Sequence, residues 1–129
     1  MAHRDQFKGQ KLKDVFPSSL GYYFEKIGES IHHHYNDFGA MHVQLVAETI
    51  EEFKKALDKR GLLNAYDTLQ YSFELIGYPL TELQKYFEKR EESKLNDKDA
   101  YIFFWFIKNE ADQLIHMAGE IDEEYNSEV

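Results

Sequence analysis

Six side chains in the last third of the chain have chemistry and a spacing that would align them. Trp105, Asn109, Asp112, His116, Glu120 and Glu123 follow one another at steps of four, three, four, four and three residues. In an α-helix, residues three and four apart share a face, so the set reads as a column, an aromatic ring above a ladder of carboxylate, imidazole and carboxylate. Glu124 and Tyr125 extend its lower end. Such a face suits binding better than catalysis. It offers acceptors, an imidazole and a flat anchor, but no nucleophile, phosphate loop or paired oxyanion donors. Neither Ser-x-x-Lys nor Gly-x-Ser-x-Gly occurs in the chain.

Histidines 32, 33 and 34 form the second candidate group. Consecutive helical residues project about 100° apart, so three in a row cannot close on one metal. The spacing Glu29-Ser-Ile-His32 matches the Glu-x-x-His of carboxylate-bridged di-iron bundles, and Glu29 and His33 stand four apart. A di-iron site wants a second such pair, and Gln113-Leu-Ile-His116 lacks the carboxylate. With Ile31 centring the core face, Glu29 points about 160° and His32 about 100° away from it. No cofactor is expected. Glu29, His32, His33 and His116 are the ligands that an alternative, a metal-dependent all-helical hydrolase or oxidase, would use. Glu48-Thr-Ile-Glu51 and Glu120-Ile-Asp-Glu123 resemble the acidic pairs of all-helical nucleotide pyrophosphohydrolases, which hold Mg2+ with inward-facing carboxylates. Here both pairs lie opposite their own helices' apolar stripes.

The elements that must position these residues follow from apolar periodicity. In Ala100 to Tyr125, the residues Phe104, Ile107, Ala111, Leu114, Ala118, Ile121 and Tyr125 form one helical stripe, and Ile102, Trp105 and Phe106 fill the other side of its start. A helix apolar all round is normally buried, so this one is expected to thread the core. Before it, Pro17 and the serines at 18 and 19 open a helix whose core face is Leu20, Phe24, Ile27, Ile31, Tyr35 and Phe38. Asn36, Asp37 and Gly39 signal a turn, and a second helix from about Ala40 carries Val43, Val46, Ile50, Phe53 and Leu57 up to Gly61. A third helix is expected from Leu62 to Ile76, closed by Gly77-Tyr78-Pro79. A fourth is opened by the capping-box pattern of Thr81 and Gln84, and Asn96 or Asp97 caps the last. The expectation is an all-α, irregular bundle of about five helices around a long, largely buried C-terminal helix, residues 17–129, preceded by a basic N-terminal arm, 1–16. The arm is the segment expected to cover the Trp105 end if that end is buried.

Composition narrows function. The chain has 129 residues, a formal net charge of −9 and no cysteine, which excludes thiolate chemistry and disulfides. No apolar run reaches the length of a membrane span, and a cytoplasmic protein is expected. From residue 109 onward there are seven acidic residues and no Lys or Arg. Such a field repels nucleic-acid phosphate and anionic membrane and attracts a basic partner. In size and charge the chain resembles small acidic helical immunity proteins. The leading expectation is therefore a non-enzymatic inhibitor that covers the basic active site of a partner such as a nuclease toxin. Nucleic-acid mimicry and an oligomeric scaffold are the variants, and a monomer or small homo-oligomer is expected.

Overall fold

Apolar residues recurring at three- and four-residue steps give each helix one face to bury, and the fold follows from closing those faces on one another. The computed structural model describes residues 11–127, with side chains as far as Glu124. Among the described residues the protein is all-helical. A short 3-10 helix, Leu12–Val15, precedes α1 (Leu20–His33), α2 (Asn36–Lys59), α3 (Asp67–Glu88) and α4 (Asp97–Ser127). Each helix packs on the one before it, and α4 returns to α1, so four helices close a bundle. Phe24 and Ile27 of α1, Val46 and Phe53 of α2, Phe73 and Leu83 of α3, and Ile107 and Leu114 of α4 belong to its single core. No described helix is long and apolar enough to cross a membrane.

The expected third and fourth helices are one. α3 runs through Pro79, which lies inside it and is buried. A proline in a helix interior costs about 3 kcal/mol. That cost is outweighed because Leu69, Phe73, Ile76, Leu83 and Phe87 are buried along one continuous stripe, and breaking the helix at Pro79 would put its two halves out of phase. Thr81 is accordingly not a cap; its hydroxyl donates to the carbonyl of Gly77 one turn back.

Gly39 is likewise not a turn residue. α2 already starts at Asn36, and a Cβ on Gly39 would lie 2.3 Å from the Phe87 ring. The glycine lets α3 press its aromatic edge against the α2 backbone. Because α1 stops at His33, Tyr35 and Phe38 fall outside the core and are exposed. The stop at Gly61 is as expected. Gly61 has φ +68°, its amide donates to the Asp58 carbonyl at 3.0 Å, and Leu62 donates to the Leu57 carbonyl at 2.9 Å, a pattern that satisfies the last free carbonyls of α2.

The described part of the N-terminal arm does not reach Trp105. Leu12 is fully buried, and the amides of Leu12 and Lys13 donate to the two oxygens of Asp122 at 2.8 and 3.1 Å, with the Arg60 guanidinium 3.9 Å away. Asp122 is one of the few buried charged groups, and these partners replace its lost hydration. Residues 1–10 of the arm lie outside the described residues.

Two glycines should answer oppositely to the same substitution. Gly77→Ala, at an exposed helix position with nothing within 4 Å of the added methyl, gains about 1 kcal/mol of helix propensity and should raise Tm by roughly 3–5 °C. Gly39→Ala gains the same propensity but overpacks Phe87 by up to about 3 kcal/mol, so its Tm should fall. Equal melting temperatures for the two variants would show that Phe87 yields freely.

Candidate binding face

The start of α4 is set by a polar knot that joins three other helix ends. Asn96 caps the helix, its side-chain oxygen accepting from the Asp99 amide at 2.8 Å. Asp97 accepts from the Tyr86 hydroxyl at 2.6 Å and from Arg90 at 2.8 Å through one oxygen, and from His34 Nε2 at 2.7 Å through the other. Since an ionised carboxylate only accepts, His34 must carry a proton on Nε2. Arg90 also donates to Tyr86 and to Asn36 Oδ1, so the ends of α1 and α3 and the starts of α2 and α4 meet here. His34 holds this position with φ 60°, the one non-glycine in the left-handed region among the described residues. The Tyr86 and His34 hydrogen bonds hold Asp97 below its ordinary value of 3.8, and burial, with Asp97 beside it, pushes the Tyr86 phenol up.

Beyond the knot, α4 departs from the expected buried helix. Its stripe from Ala100 through Ile121 faces the core, but Tyr101 (41 % exposed), Ile102 (55 %), Trp105 (46 %) and Phe106 (36 %) face solvent. No described segment covers them. An open groove of about 610 Å³ between α1 and α4 is lined by Ile31, His32, Asp97, Lys98, Tyr101, Ile102 and Trp105. A second hollow of about 420 Å³ shares His32, Tyr101 and Trp105 with it and continues past Gly28, Glu29 and Lys108. Lys108 rests over the Trp105 ring, 4.7 Å from its centroid.

The column read from the sequence continues down the same side. Asn109, Asp112, His116, Glu120 and Glu123 are all exposed, and His116 Nε2 lies 3.0 Å from Glu120. Glu124 is tied elsewhere, accepting from the Tyr66 hydroxyl at 3.2 Å. The backbone of Tyr125 belongs to α4, but its side chain lies outside the described residues. Of the metal candidates, Glu29, His32 and His33 line the second hollow, and His116 lies apart from them. Glu29 pairs with Lys26 at 3.1 Å, the His32 and His33 rings meet edge to face, and His116 lines neither hollow. Among the described residues no three His, Asp or Glu side chains gather around a common point. The surface residues that sequence reasoning placed in the core are Ile102, Trp105 and Phe106; Tyr101, which it did not single out, is exposed beside them. The available signal was an apolar circumference wider than one helix face can bury. Compared with known proteins, the chain matches no family model, no curated protein and no solved structure.

The knot predicts an acid-side stability change. Asp97 has a folded pKa depressed below its unfolded one, so its contribution is present above the unfolded value and is lost as pH falls through the folded value. In thermal melts the wild type should exceed Asp97→Asn by a few degrees at neutral pH. The margin should be constant down to about pH 5 and close below about pH 4. Because Asp97 is more than half exposed, screening keeps the margin small. A margin that persists undiminished to strongly acid pH would show that the carboxylate's charge is not what Asp97 contributes.

Proposed function

We propose that the protein is a small acidic binding protein, of inhibitor or immunity type, that recognises a basic protein partner through the outward face of α4. A nuclease toxin with a basic active site is the partner class this chemistry fits, and the setting proposed is cytoplasmic. The observation that carries the reading is the continuity of one helix face, half-exposed Tyr101, Ile102, Trp105 and Phe106 passing into exposed Asp112, Glu120 and Glu123. Aromatic anchors supply most of the energy of protein interfaces, while charge sets encounter rate and partner choice. The placement of the charge adds support. α4 has no basic residue in its last turn, so its acidic end opposes the helix dipole and its residues repel one another, a local cost that Asp122 and Glu124 offset through contacts within the fold while Glu123 stays exposed.

The test uses source-cell lysate passed over the immobilised wild type and over a variant carrying Glu120→Lys, Glu123→Lys and Glu124→Lys. A basic protein held by the wild type alone is expected. Its association rate should fall at least about tenfold in the variant at low salt, with a flatter salt dependence, and Trp105→Ala should chiefly speed dissociation. Association with the charge-reversed variant at the wild-type rate would overturn the reading.

A further inference from the structure

Large apolar side chains are exposed at several places among the described residues, but on α1 and α2 Tyr22 and Phe38 are engaged with the His42 ring, which each meets edge to face. Only on α4 do four of them adjoin in sequence and face. That strip also has charged ends. Lys98 precedes Trp105 by seven residues and Asp112 follows it by seven, two helical turns either way, so all three share a seam at the heptad spacing. Both charges are exposed, and among the described residues neither has an ion-pair partner.

We propose that a second copy of this chain occupies the strip, the two α4 helices crossing antiparallel on a two-fold axis at Trp105. The charge order selects this occupant and this direction. With the axis at Trp105, each Lys98 lies beside the other copy's Asp112, and the two contacts are equivalent, as an isologous interface requires. Antiparallel pairing also sends the acidic ends apart. Glu120 lies fifteen residues from the axis, so at 1.5 Å per residue the two copies of it stand about 45 Å apart, several Debye lengths at physiological salt. A parallel pair would set Glu120 and Glu123 against their own copies. The strip is modest in size. At ~200 Å² for a fully exposed aromatic, the four side chains leave roughly 350 Å² per copy to cover. At about 700 Å² in total, the strip falls short of the ~1,000 Å² of a stable interface and lies in the range of weak, transient ones, so the dimer is weak and reversible, with Kd in the micromolar range. It hides Trp105 and leaves Glu120 and Glu123 open, so a basic partner that needs Trp105 competes with the second copy. The pairing stands independently of that partner.

Sedimentation equilibrium of the full chain over a concentration series from ~5 to ~500 μM tests it at the strength expected of so small an interface. The apparent mass should climb from one chain toward two. Trp105→Ala and Ile102→Asp should each raise Kd at least tenfold with unchanged far-ultraviolet circular dichroism. Lys98→Glu and Asp112→Lys should each weaken the dimer, and the two together should restore it. Since the chain has no cysteine, a spin label at Glu123→Cys reports direction without touching the strip. A separation on the order of 50 Å is expected. A single-chain mass at every concentration, a dimer indifferent to Trp105→Ala, a double charge swap that fails to rescue, or a label distance below about 25 Å would each overturn the proposal.

Discussion

A helix in a four-helix bundle has one face to give to the core, and the shape of this protein's surface depends on that limit. α4 carries apolar residues around its whole first half, yet α1 and α3 enclose it from one side only. Phe104 and Ile107 go in, while Ile102, Trp105 and Phe106 stay out. Leaving three aromatic rings and an isoleucine half in water forgoes on the order of several kcal/mol of burial. A surface of that kind on a small domain is what interaction sites are made of.

Two carboxylates hold the helix in place. Asp122, buried near one end, gathers the amides of Leu12 and Lys13 with Arg60 nearby; Asp97, exposed at the other end, gathers Tyr86, Arg90 and His34. The first binds a segment more than a hundred residues away in sequence, the second ties the ends of α1 and α3 to the start of α4. Asp122 orients the outward face from behind, and Asp97 does so from its upper edge, where it also lines the groove. The proposed binding face therefore sits on a rigid element supported from behind, which suits recognition by a preformed surface. The acidic lower half has no comparable packing role, since Asn109, Asp112, His116, Glu120 and Glu123 all point to water.

Much of this was legible in the residues. The stripes of α1, α2 and α4, the stop at Gly61, the Asn96 cap and the outward column from Trp105 to Glu123 all follow from period and local chemistry. The misreadings share a cause. Pro79 and Gly39 are punctuation by local rules, and both sit inside helices because α3 keeps one phase through Leu69, Phe73, Ile76, Leu83 and Phe87, and the Phe87 ring needs the space that Gly39 leaves. The phase was present in the sequence; the need for space at Gly39 was not. His34 in a left-handed turn carried no local signal, because its hydrogen bond reaches Asp97, which lies 63 positions away.

By itself the amino-acid sequence determined that the protein is helical, which residues can share a face and where the charge accumulates, since these depend on neighbours within a turn or two. That the second apolar side of α4's first half would stay uncovered was decided only by tertiary structure. Hydrophobicity is not directional; whether a second face is buried depends on whether another helix arrives to cover it. The same holds for Asp97 and Asp122. As residues they are two acids among many, and their distant partners make them the fastenings of the fold.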